Sequence, residues 1–180
     1  MPLKNKNQHP KNSQLLQVSR NKVVFLDLLV LDTHGKTIET TGGKEPFSYI
    51  HGRGNLLPAL EFYLEGQCSG FECDIILEPE DAFGKYQTEL ILEVKRDQLS
   101  ADVLVKEGEY VQAHGPNGVM QFRIDHIGDI GVRLNANHPL AGKKLTFLLK
   151  VLSVREPHGD EVRHKRPHPA GHHLMVTGSV

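Results

Sequence analysis

Apolar residues fall in short runs along the chain, and the period of those runs turns helical only once. Residues 23–31 (VVFLDLLVL) are β-branched and apolar on both parities, which predicts a strand buried on both faces or nearly so. Asp32-Thr33-His34-Gly35 follows as a turn, because Asp bonds its own backbone and glycine supplies positive φ. Residues 36–40 alternate about Ile38 and predict a short return strand; residues 47–50 predict another. At 55–65 the spacing changes. Leu56, Leu57, Leu60 and Leu64 share one helical face, with Asn55 as N-cap and Gly66 as the stop. Pro58 falls in the first turn, where its missing N–H has no intrahelical partner to lose.

Beyond the helix the pattern returns to strands. Residues 71–78 put Phe71, Cys73, Ile75 and Leu77 on one parity, and 79–84 (PEDAFG) form a turn. Strands are expected at 90–94, 110–114, 120–126 and 130–134, with one helical turn at 96–102. The Gly115-Pro-Asn-Gly118 run makes 110–126 a hairpin, and 130–134 extends it into a meander. A long strand at 145–154 closes the pattern, and from Glu156 onward no periodicity survives. One short helix among many strands indicates an α+β fold, a sheet wrapped on a helix.

Composition narrows the function classes. The 180 residues carry a formal charge of -1, with no Trp and 6% aromatics, so neither an electrostatic nor a stacking surface for nucleic acid is expected. Charge is uneven: residues 1–22 hold five bases and no acid, and the last 25 residues balance. Residues 1–21 therefore read as a disordered basic arm. The apolar run at 23–31 is too short to span a bilayer, and no small-residue cleavage site follows it. Cys68 and Cys73 give no disulfide framework and fit a reducing cytoplasm; Cys73 reads as a small core residue and Cys68 as a loop thiol. Neither has a neighbouring base to make it a nucleophile.

Three runs in fixed order carry a family likeness: Tyr49-Ile-His51-Gly52-Arg-Gly54, Asp81-Ala-Phe83-Gly84, and Asn137-His138-Pro-Leu-Ala-Gly142 leading into Leu145-Thr-Phe147. Across roughly residues 22–156 the chain resembles the FKBP-type prolyl isomerases, and within them the SlyD-like subfamily. The resemblance implies an FKBP-like domain from residues 22–84 and 139–155, an antiparallel sheet curled on the short helix. It implies a mainly β insert-in-flap chaperone domain at 85–138, which binds unfolded chains, and a flexible His-containing tail at 156–180.

The chemistry such a site needs is modest. The bond before proline turns slowly because C–N resonance sets a barrier of about 18–20 kcal/mol. A cup that excludes water weakens the hydrogen bonds favouring the planar, charge-separated amide, and holds the ring while the carbonyl turns. No nucleophile and no cofactor is required. The resemblance puts Phe47 and Phe147 at the walls, Leu56 and Leu57 at the lip with the Leu57 N–H receiving a substrate carbonyl, Leu60 at the floor and Ile38 at the side. Three positions depart from the family's pattern. Leu28 stands where Tyr is common, Glu39 where Asp is usual, and Phe83 where Tyr is usual, so rate is more exposed than binding.

Within 85–138, Val94, Leu99, Val103, Leu104, Val105, Val111, Met120, Phe122, Ile124, Ile127 and Val132 offer more apolar surface than so short a segment easily hides. That surplus points to an exposed groove for unfolded segments as well as to a small core. His158, His164, His168, His172 and His173 suit labile Ni(II) or Zn(II), without the spacing of a structural zinc site. His138 reads as a turn residue. The expected protein is a monomeric cytoplasmic isomerase with chaperone activity, acting on unfolded or proline-containing polypeptides, with no nucleic acid and no membrane as partner. Two alternatives are a chaperone or scaffold with weak or lost isomerase activity, and a nickel- or zinc-handling protein acting through its tail.

Overall fold

The computed structural model describes residues 16–95, 106–115 and 118–167. The chain forms two compact units, one ending at Ile75 and resuming at Thr146, the other running Ile76–Leu145.

The first unit is built on an antiparallel sheet. Its strands are β1 (Val23–Leu31), β2 (Thr37–Thr40), β3 (Phe47–Ile50), β4 (Glu72–Leu77) and β9 (Leu145–Arg155), in the order β2-β1-β9-β4 with β3 also on β1. β9 pairs β1 along its whole length, while β2 takes the C-terminal end of β1 and β3 its N-terminal end. Burial along β1 alternates: Val24, Leu26, Leu28 and Val30 are buried, and Phe25, Asp27, Leu29 and Leu31 half-buried. So β1 is buried fully on one face only. On its other face Asp27 lies opposite Lys150, which pairs with Glu72, and the Arg155 guanidinium covers Phe25 at 5.6 Å.

Helix α1 (Pro58–Leu64) starts later than the pattern predicts. Leu57, not Asn55, is its N-cap, and Pro58 fixes the first turn. The Asn55 side chain is engaged elsewhere: Oδ1 accepts the Ile50 N–H at 3.1 Å and Nδ2 donates to the Lys165 carbonyl at 2.8 Å.

Both termini of this unit are more ordered than expected. Residues 1–15 lie outside the described residues, but Gln17 bridges Cys68 and Val18 is fully buried, held by Val18 N–H to Gln67 O and Gly66 N–H to Val18 O, both 2.7 Å. Residues 17 and 18, expected within the arm, are thus held against the unit. The same holds for the first residues of the expected tail. Residues 156–167 carry α2 (Glu161–His164), whose Glu161 is fully buried and accepts both Arg155 NH groups at 2.8 Å and the His158 N–H at 2.6 Å.

The second unit holds the sheet β5-β8-β7-β6: β5 (Ile91–Lys95), β6 (Tyr110–Gly115), β7 (Gly118–Ile127) and β8 (Gly131–Asn135). The predicted meander is present; the expected helical turn at 96–102 lies outside the described residues. Val111, Phe122, Ile124, Val132 and Leu134 form its core, with Val94, Met120 and Ile127 packed against it. Most of the apolar residues expected to line a groove are therefore this unit's own core; Leu99, Val103, Leu104 and Val105 are not among the described residues.

Within the second unit the segments 76–84 and 138–145 hold each other. Gly142 N–H reaches Gly84 O at 2.8 Å, Lys144 pairs with Glu78 at 2.6 Å, and Phe83 stacks on His138 at 4.3 Å. Gly142 has φ +75, and a Cβ there would lie 2.9 Å from Tyr86 Cβ, so only glycine permits the approach.

Candidate active site

Strand pairing decides which of the expected residues share a surface. Phe47 lies opposite Leu26, which faces Val151; Leu28 faces Leu149; Val30 faces Phe147 and, on its other side, Glu39. Directly paired residues project to the same face. Phe47, Leu28, Phe147 and Glu39 therefore lie on one face of the first sheet, and the three apolar ones are buried. Ile38 is skipped between the pairs Leu31–Thr37 and Val30–Glu39, so it is the unpaired residue of a bulge, half-buried beside Glu39. Leu60 is fully buried on α1, and Leu56 and Leu57 are buried just ahead of it. Among the described residues no acceptor takes the Leu57 N–H, as expected ahead of a helix's first turn.

Leu28 carries a feature the sequence did not announce. Its N–H donates to Thr41 Oγ1 at 2.8 Å, its carbonyl accepts the Thr41 N–H at 2.9 Å, and the buried Thr41 hydroxyl donates to Asp27. Thr41 thus fastens the loop after β2 to the middle of β1.

The Tyr49–Gly54 run packs its two ring side chains inward. Tyr49 is fully buried and His51 is 3% exposed. The Tyr49 hydroxyl meets His51 Nδ1 at 3.0 Å, and His51 Nε2 meets Glu65 Oε2 at 2.7 Å. Burial pushes the Tyr49 phenol far up, aided by the Glu61 and Glu65 charges, so it stays protonated and donates. His51 then accepts at Nδ1 and donates from Nε2 to the Glu65 carboxylate. Glu61 accepts the Gly52 N–H at 3.0 Å, where Gly52 sits at φ +72. Burial raises the Glu61 carboxyl against the opposing pull of that N–H and of His51.

Phe83 belongs to the second unit and is half-buried. Its ring lies face to face with His138, 4.3 Å between centroids and 4° between planes. His138 also accepts the Leu140 N–H at Nδ1, at 3.1 Å, so its part in the turn stands and the aromatic contact is additional.

The C-terminal histidines divide. His158 and His164 are exposed, while His168, His172 and His173 lie outside the described residues. Among the described residues no three His, Cys, Asp or Glu converge as a metal site. No described helix is long and apolar enough to cross a membrane.

No family model matches the chain. Curated relatives do, among them three named FKBP-type peptidyl-prolyl cis-trans isomerase SlyD. That of Aeromonas hydrophila is 36% identical over 156 residues, covering 87% of this chain and 73% of the relative. That of Vibrio cholerae is 30% identical over 156 residues (87% and 78%), and that of Escherichia coli K12 30% identical over 155 (86% and 79%). The chain belongs to the SlyD family of FKBP-type peptidyl-prolyl cis-trans isomerases. The family's FKBP-like α+β fold fits the mostly antiparallel strands and the one longer helix among the described residues.

Proposed function

We propose that this SlyD-family isomerase turns X–Pro bonds in a cup formed by Phe47, Leu56, Leu57, Leu60, Phe147, Leu28 and Ile38. The enzyme class, peptidyl-prolyl cis-trans isomerase, follows from the family. The observation that carries the cup is the shared face: the strand register gives Phe47, Leu28 and Phe147 one apolar surface. Rotation moves charge off the carbonyl oxygen, so a dry apolar wall favours the twisted amide over the planar one. The Leu57 N–H receives a substrate carbonyl and fixes the chain while the proline ring stays in the cup. Glu39 places its carboxylate beside Val30 at the rim. The test is isomerisation of a short X–Pro peptide by the full chain and by Phe147→Leu. A loss of about tenfold in kcat/KM with little loss of stability supports the cup; unchanged kinetics would reject it.

Unfolded-chain binding by the second unit is the accompanying proposal. Supporting it are large apolar side chains left in solvent there, among them Ile130 at 90%, Val119 at 61% and Tyr110 at 54% exposure. Capture of an unfolded chain raises the effective concentration of its prolines at the cup. Ile130→Lys with Val119→Lys is expected to weaken suppression of client aggregation and to leave short-peptide isomerisation unchanged. Nickel or zinc handling rests on imidazole chemistry alone. The described His158 and His164 supply two exposed ligands at most, and isomerisation needs no metal step. Equilibrium dialysis of Ni(II) with and without residues 168–180 tests that role. A cytoplasmic monomer without nucleic-acid or membrane partners remains the expected setting.

A further inference from the structure

A buried hydrogen-bond chain links the strand that carries Phe47 to the helix that carries Leu60. Phe47 and Tyr49 stack at 6.0 Å with 14° between planes. Tyr49 OH reaches His51 Nδ1 at 3.0 Å, and His51 Nε2 reaches Glu65, just past the end of α1, at 2.7 Å. The His51 backbone is held too: its N–H donates to Lys22 O and its carbonyl accepts the Asn21 N–H, both at 2.9 Å. An apolar residue at 51 would fill the same space. A buried imidazole is costly unless both nitrogens are used, and here both are.

We propose that His51 is a positioning residue for the isomerase reaction, setting the Phe47 wall against the α1 floor through Tyr49 and Glu65. This rests on the reading of Phe47 as a wall of the proline cup. The Tyr49 ring backs Phe47, so the hydroxyl anchor fixes where the back of that wall stands. The Glu65 end ties the same imidazole to the helix, whose Leu60 is the floor. Phe47 and Leu60 are then spaced by one directional chain of hydrogen bonds as well as by packing. A proline ring is small and rigid, so a shift of a few tenths of an ångström between wall and floor weakens its hold.

Two mild variants cut the chain at either end. Tyr49→Phe keeps the stacked ring and removes the hydroxyl. Glu65→Ala removes an acceptor whose side chain is 56% exposed, leaving the core intact. Each is expected to lower kcat/KM on a short X–Pro peptide by roughly three- to tenfold, the size of one hydrogen bond, chiefly through KM. Together they lose little more than either alone, because they cut one chain. The discriminating arm is Phe47→Ala. In that background Tyr49→Phe and Glu65→Ala are expected to have no further effect on kcat/KM. His51→Asn, which retains an acceptor for the Tyr49 hydroxyl, is expected to recover part of what His51→Ala loses. Urea unfolding of every variant checks that the measured enzyme is folded.

Equal losses from Tyr49→Phe in the native and Phe47→Ala backgrounds would overturn the proposal, since a merely structural role costs the same in both. If Phe47→Ala is slow while Tyr49→Phe and Glu65→Ala match the native enzyme, the positioning role fails and the cup stands. If Phe47→Ala itself matches the native enzyme, the cup reading fails, and the proposal with it.

Discussion

Glu161→Ala is the sharpest test of how residues 156–167 are held. The carboxylate is fully buried and receives two guanidinium N–H bonds from Arg155 and one backbone N–H from His158. Removing one partner of a buried pair costs about 3–5 kcal/mol, because the other charge stays without its counter-ion. Arg155 keeps a route to water, with its side chain 26% exposed, and it still lies over Phe25. That moves the expectation to the low end, about 3 kcal/mol. The comparison is Glu72→Ala, which breaks a pair of similar length, 2.6 Å, whose side chains are 48% and 61% exposed. Exposed pairs contribute about 0–1 kcal/mol, so burial and not distance separates the two variants. Urea unfolding reads both. The double variant Arg155→Met with Glu161→Leu is expected to lose less than Glu161→Ala, because no buried charge is left alone. If Glu161→Ala and Glu72→Ala each lose under about 1 kcal/mol, the segment does not dock and the reasoning is wrong.

Three further outcomes follow from single sites. Phe83→Tyr tests whether the ring that the family resemblance assigns to the site acts there: a several-fold rise in kcat on a short X–Pro peptide with KM little changed is expected. Thr41→Val removes the nearer of two side-chain acceptors of the Leu28 N–H, leaving Asp27 Oδ1 at 3.1 Å, and takes a hydroxyl donor from Asp27; it is expected to cost about 1 kcal/mol in urea unfolding. Asp125 gives a pH dependence: burial alone would raise its carboxyl, but hydrogen bonds from Asn135 and Arg123 and the charges of Arg123 and Arg133 outweigh it and hold it below the ordinary 3.8. Its folded value is depressed, so its contribution is present above the unfolded value and is lost as pH falls through the folded one. Asp125→Asn should flatten the acid limb of the stability profile below about pH 4.

Much of the fold could be read from the sequence, because period and turn chemistry were explicit. The runs at 23–31, 71–78 and 145–154 became β1, β4 and β9, and the Gly115–Gly118 signal marked the β6–β7 hairpin. The helix was legible in place but not in its start. Asn55 looked like a cap because its type suits one, yet its side chain serves Ile50 and Lys165, contacts 5 and 110 residues away in sequence. Residues 156–167 looked like a tail because a charged clamp leaves no apolar period. Glu161 is buried by pairing with Arg155, and no hydropathy pattern carries that information.

The candidate site divides the same way. Motif and order nominate Phe47, Leu60 and Phe147, and the register gives the two phenylalanines a common sheet face. Thr41 and His51 are not nominated. Thr41 sits in a Gly-rich loop, and only the fold brings its hydroxyl to Leu28. His51 sits in a run with two glycines that reads as mobile, and its second partner, Glu65, lies 14 residues on. A Tyr-x-His pair ahead of a helix with Glu just past its end is the signal that would have found it.

The most direct measurement is refolding of a protein whose slow phase is limited by proline isomerisation, followed with catalytic amounts of the full chain and, in parallel, of Phe147→Leu. A slow phase accelerated by the native chain, and much less by a folded Phe147→Leu, is the predicted result. A slow phase unchanged by the native chain, while aggregation of an unfolded client is still suppressed, would contradict it and leave a chain-binding protein on an isomerase frame.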